Sequence, residues 1–290
     1  MCLFLFLGRW ATALGSAVAV VFAFVWANFS FENSTDSVTK EHVWANTYRL
    51  FPWKVEPASG LDWLPRAGLV LIVVGLLTRW LGLLSSPLLP ERRWWVANLL
   101  VWLPRIIAVA LVSTWLVSER SAKESPYLRY TILLAMLSIW LTLDGLARAG
   151  SGGDLAAYLA MNFFAAGAVL LYGHSAKLME IAVVIGSAMF GIAVVAHLMK
   201  TDISGAIPAG IAFLPGLVLG GRPSLETEVP YASFLLVSLA PLILAPFLIP
   251  ILSRKDGWQV RAIRTALILV PLVAAIVIAA QFDELAIPED

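Results

Sequence analysis

The sequence predicts an all-α fold, a polytopic transmembrane bundle of eight or nine spans, and three observations carry that expectation. Only 13% of the 290 residues are charged and 60% are hydrophobic, whereas an ordinary soluble domain has roughly 25% charged residues. Mean hydropathy is +0.85. The apolar residues fall in long blocks rather than short alternating patterns, and a block of roughly 18 or more can cross a ~30 Å hydrocarbon core as a helix.

Nine blocks fit such spans, at about 8–28, 63–84, 94–118, 127–149, 154–173, 176–199, 203–220, 230–252 and 260–281. The chain therefore divides into a first span (1–28), an outer loop (29–62), the main bundle (63–281) and an acidic tail (282–290). The first block has a competing reading as a secretory signal, with Val25 and Ala27 at small-residue cleavage positions. Its basic residue, Arg9, follows the apolar run "MCLFLFLG" instead of preceding one. A retained anchor helix is the preferred reading.

Orientation follows from Lys and Arg in the short loops. Placing the N-terminus inside gathers Arg9, Arg79, Arg92, Arg93, Arg148, Lys200, Arg254, Lys255, Arg261 and Arg264 on the cytoplasmic side, with the C-terminus outside. A plasma membrane or bacterial inner membrane is the expected location. The expected partners are the lipid bilayer and other membrane subunits or further copies of the chain. A net charge of +1 gives no reason to expect nucleic acid.

The tetrapeptide VWAN occurs twice, at 25–28 and 43–46. The first copy ends the first span and places Trp26 at headgroup level, where indole rings prefer to sit. The second begins a stretch in which Trp44, Tyr48 and Phe51 recur at i, i+4 and i+7. That spacing predicts an amphipathic helix lying in the interface. Both copies thus read as aromatic anchors and not as a duplicated unit. A larger repeat is disfavoured too, because eleven of the twelve Trp residues precede position 141.

Ionisable residues within spans are the best functional pointers in a membrane sequence, because each is costly unless compensated. Arg79, Arg129 and Lys200 lie near span ends and can snorkel. Glu180 pairs with Lys177 at helical spacing. Arg105 is different. Were a helix to begin at Pro104, thirteen residues would remain, reaching about 20 Å and falling short of the core. Either the span starts near Trp94 and carries Arg105 close to mid-membrane, or residues 94–103 lie in the interface before a thinned crossing.

Asp144 is the candidate partner. Its own helix offers Arg148 four residues on, the simpler pairing. The antiparallel neighbouring span offers Arg105, at a depth difference of roughly 8 Å that a long side chain can close. Prolines then concentrate in the last third, including Pro208, Pro215, Pro241, Pro246 and Pro271. Discontinuous helices build binding sites in transporters, although proline more simply kinks a membrane helix. Arg105, Asp144, Pro208 and Pro215 form the candidate solute or ion pathway.

Catalytic chemistry finds little support. "GHSA" at 173–176 resembles a Gly-x-Ser nucleophile element, but Ser175 and His197 are about 33 Å apart along one helix. "GSGGD" at 150–154 lacks the lysine of a phosphate loop and reads as a turn with Asp154 capping the next helix. Cys2 is the lone cysteine, and no HExxH supports zinc, so no metal or cofactor is expected. A small-solute transporter or channel is the leading expectation. An accessory subunit of a membrane complex comes second, and a lipid-modifying membrane enzyme third.

Overall fold

The computed structural model describes residues 14–24, 26, 64–88, 94–117, 127–149, 152–199, 206–221, 229–248 and 257–284. Nine α-helices appear among the described residues. They are α1 (Leu14–Phe24), α2 (Leu64–Leu88), α3 (Trp94–Leu116), α4 (Leu128–Ala149), α5 (Gly152–Tyr172), α6 (Ala176–Met199), α7 (Ala206–Gly221), α8 (Tyr231–Leu239) and α9 (Trp258–Glu284). The segment that follows α8, Ala240–Leu248, continues as a 3-10 helix. Six of these units are long and apolar enough to span a bilayer, and the protein is a multi-pass helical membrane protein. The expected interfacial helix with Trp44, Tyr48 and Phe51 lies outside the described residues. Trp26 lies just past α1, exposed and stacked on Phe22 with ring centroids 6.2 Å apart.

The bundle is organised around α7. Every residue from Ala206 to Leu219 is buried, and the helix touches α2, α3, α4, α5, α6 and α8. Its sixteen residues reach only about 24 Å, less than the hydrocarbon thickness. A helix apolar all round has no face to offer water, and here α7 lies among other helices and not among lipids. Glycines on its neighbours allow the approach. A Cβ at Gly68 would lie 2.6 Å from the Phe213 ring, and one at Gly75 would enter the ring of Pro208. Gly216 of α7 meets Leu64 in the same way. These three contacts run in opposite directions along the two helices, so α2 and α7 are antiparallel. Phe24 of α1 stacks on the same Phe213 ring, with centroids 4.8 Å apart.

The hairpin of α5 and α6 is the most extensive helix pair. Its turn explains the "GHSA" stretch. His174 adopts a left-handed φ of 58°, and the Ser175 amide donates to the Leu170 carbonyl at 3.1 Å. The Ser175 hydroxyl then accepts from the Leu178 amide at 3.3 Å, capping α6. A serine and a histidine here end one helix and start the next. Close approach within the hairpin comes from Gly167 against Val183 and Gly186 against Phe163 and Phe164. The pair Ser187 and Gly191, whose spacing suits helix packing, is exposed instead, with open space around Gly191.

The prolines behave in three ways. Pro208 occupies the first turn of α7, where its missing N–H would have no intrahelical acceptor anyway. Pro104, Pro215 and Pro271 sit inside helices that continue through them. Only the segment with Pro241 and Pro246 changes class, from α-helix to a nine-residue 3-10 helix. Runs of that length are uncommon because the hydrogen-bond geometry is poorer. This tightly wound stretch packs against α4 and α9, bringing Leu248 against Gly145 and Phe247 beneath Arg264.

Candidate functional site

Helix α3 is continuous from Trp94, so Arg105 rides eleven residues into it, about 17 Å along the axis. Its helical phase is that of Val101, Ala108, Val109 and Val112, all buried, so the side chain must point into the bundle. Arg105 is 3% exposed. Such a charge costs about 2.5–3.5 kcal/mol on the insertion scale when unpaired at mid-membrane.

The fold compensates it on three sides. Arg105 Nη1 donates to Asp144 Oδ2 of α4 at 2.9 Å, and the Asp144 side chain is 17% exposed. Arg105 Nε donates to the hydroxyl of Thr78 on α2, also at 2.9 Å. That hydroxyl in turn donates to the Val74 carbonyl at 2.8 Å, so its hydrogen and one lone pair are both used. The guanidinium lies 4.9 Å from the Trp102 ring and 5.0 Å from the Trp140 ring. Each such contact contributes roughly 0.5–2 kcal/mol. Three helices are pinned together at this point.

A cavity of about 10 Å³ adjoins the pair, lined by Gly75, Leu76, Arg105, Trp140, Asp144, Ile207 and Pro208. A buried water needs about 10–15 Å³ of such space, so the cavity holds one water at most. Arg105, Asp144 and Pro208 therefore come together. Pro215 does not; it lies seven residues further along α7, about 10 Å away along the axis.

A second polar cluster joins α5 to α9. Asp154, Tyr158 and Asn162 recur every four residues on one face of α5. Arg261, Arg264 and Thr265 form the matching face of α9. Arg261 Nε lies 3.3 Å from Asp154 Oδ2, an ion-pair contact without the alignment of a hydrogen bond. The Tyr158 hydroxyl meets Thr265, within electrostatic reach of Arg264, Arg261 and Asp154. Asn162, 1% exposed, donates from Nδ2 to the Tyr158 carbonyl at 2.7 Å, and its Oδ1 has no partner.

Arg264 is 7% exposed, with its guanidinium 4.9 Å from the Phe247 ring. Among the described residues no carboxylate lies within ion-pair distance of it, and its Nε has no hydrogen-bond acceptor. From the sequence, Arg264 counts only as a cytoplasmic charge and Asp154 only as a cap. The signal that sequence reasoning missed is their spacing: i, i+4, i+8 on one helix facing i, i+3, i+4 on another puts six polar groups along one seam.

Among the described residues no group of three His, Cys, Asp or Glu side chains could hold a metal ion. His197 is exposed at the end of α6. No protein-family model matches the sequence, and no curated protein is similar to it. The class of the protein is accordingly read from the fold: a multi-pass helical membrane protein with, among the described residues, two buried arginines.

Proposed function

We propose that the protein moves a small solute across its membrane, with the Arg105–Asp144 pair closing the pathway. The observation that carries this reading is the placement of the pair. It joins α3 to α4, and the small cavity beside it reaches Pro208 at the start of the central helix. Intramembrane ionisable residues are rare and mark ion and substrate pathways. The 3-10 segment, with Leu248 next to Asp144's neighbour Gly145, supports the reading, because a stretch of 3-10 winding often marks a hinge. In this reading the membrane is a plasma or bacterial inner membrane, the N-terminus is inside, and the closed state holds no more than one water at the pair.

Accessibility tests it. Cys2→Ser removes the lone cysteine, after which Ile207→Cys reports on the cavity through water-soluble thiol reagents added to either side of sealed vesicles. The expected result is slow labelling with the pair intact and much faster labelling from one side with Asp144→Asn. A folded Asp144→Asn protein in which the thiol introduced at position 207 stays unlabelled from both sides would sink the pathway.

One observation favours a second reading, an accessory subunit of a membrane complex. The centre of the bundle is filled by α7, which presents only apolar side chains over its buried length. Foreign subunits in fixed stoichiometry, seen by native mass spectrometry after gentle extraction, would support that role.

A further inference from the structure

We infer that Arg264 anchors an anion-binding site between α5, α9 and the 3-10 segment, and that its ligand is a phosphate-type oxyanion. The inference is independent of solute transport. It starts from charge. The seam contains two cations, Arg261 and Arg264, and one carboxylate, Asp154, so its formal balance is +1. Asp154 is engaged with Arg261. Arg264 is more than nine-tenths buried, with a phenyl ring on one face and an unpaired Nε.

A solvent-exposed arginine would need no counter-charge, and a buried one normally takes a carboxylate, as Arg105 does. Among the described residues Arg264 has no carboxylate partner and is not solvent-exposed, although its long stem could carry it towards the surface. The guanidinium is instead held over Phe247, with its planar fork suited to two oxygens of a phosphate group. The hydroxyl of Thr265 is occupied, donating to the Arg261 carbonyl at 2.9 Å. Arg264 is therefore the principal donor. It lies six residues from Trp258, about 9 Å along α9, which places it near headgroup depth in one leaflet. Basic pockets between membrane helices at that level take anionic headgroups. The oxyanion has two sources, the phosphodiester of an anionic phospholipid and free phosphate.

The full-length protein, purified in a neutral detergent and stripped of lipid, distinguishes these. Thermal unfolding and native mass spectrometry are followed with added phosphatidylglycerol, phosphatidylcholine or inorganic phosphate. The wild type is expected to bind phosphatidylglycerol at least about fivefold more tightly than phosphatidylcholine, the preference one basic residue supplies. Arg264→Gln should abolish the preference, and Arg264→Lys should keep part of it. A rise in Tm with inorganic phosphate alone identifies a soluble anion, whereas a response to phosphatidylglycerol alone identifies the lipid. Equal responses to the two lipids with none to phosphate would overturn the site, whatever the variants do. So would an Arg264→Gln protein that still prefers the anionic lipid.

Discussion

Arg105 meets a carboxylate, a hydroxyl and two indole rings, whereas Arg264, almost equally buried, meets one phenyl ring among the described residues. The difference shows that burial alone does not say what a membrane arginine is for. Arg105 is satisfied from within the chain, and its ion pair, hydroxyl and rings lock α2, α3 and α4 at one depth. Arg264 sits in a seam whose carboxylate is engaged by a neighbour. The first arrangement can act as a lock that must be broken. The second favours the arrival of negative charge from outside the chain.

The largest effect is expected at the lock. Asp144→Ala leaves Arg105 buried without its counter-charge, and breaking a buried pair from one side costs about 3–5 kcal/mol. Replacing both members, Arg105→Met with Asp144→Leu, removes the stranded charge and should recover most of that loss. Reversible unfolding in mixed detergent micelles measures both. A double variant no more stable than Asp144→Ala would mean that the destabilisation comes from lost packing and not from the charge.

The lock is partly legible in the sequence. Arg105 stands out because Pro104 and the span length leave it either close to mid-membrane or at the start of a thinned crossing, and the depth of Asp144 follows from counting residues. What counting cannot decide is the choice between Arg148 and Arg105 as partner, because that depends on how α3 and α4 rotate about their own axes. Thr78 is invisible for the same reason. A threonine inside an apolar span has no pattern of its own, and its role comes from α2 crossing α3 at that height. The apolar blocks and the proline-rich last third read directly, since they depend only on local composition. The central position of α7 does not, because a wholly apolar helix can lie among lipids or among other helices. The sequence counts Arg264 only as a cytoplasmic-side charge, and its burial against Phe247 is not legible there because a neighbouring segment contributes the ring.

An intermediate effect is expected where α2 leans on α7 beside the lock. Gly75→Ala drives a methyl group into the ring of Pro208, which has no rotamer by which to move aside. Overpacking of this kind costs typically about 1–3 kcal/mol. Gly191→Ala is the matched control. A Cβ there meets open space, and the exchange should be neutral or gain up to about 1 kcal/mol from helix propensity. Thermal unfolding of the two variants side by side separates a steric effect from a general effect of glycine replacement. If Gly75→Ala were as well tolerated as Gly191→Ala, α2 and α7 would have to be able to separate there, and the cavity beside Arg105 could widen at little cost.

The smallest effect is expected at Arg264 in the absence of any anion. Arg264→Met keeps an unbranched stem beside Phe247 and removes a charge that no carboxylate among the described residues compensates. Its stability should stay within about 1 kcal/mol of wild type, since the lost cation–π contact is offset by relief of burying the charge. This is the reverse of Asp144→Ala, where the substitution creates an unpaired charge instead of removing one. The comparison sharpens when anionic lipid is added. A ligand that binds the folded state stabilises it increasingly with its concentration, so phosphatidylglycerol should raise the Tm of wild type and leave that of Arg264→Met behind. The gap between the two proteins should therefore grow with the anion concentration. A large loss of stability without any anion would instead assign Arg264 a structural partner, and the two arginines would then differ in degree and not in kind.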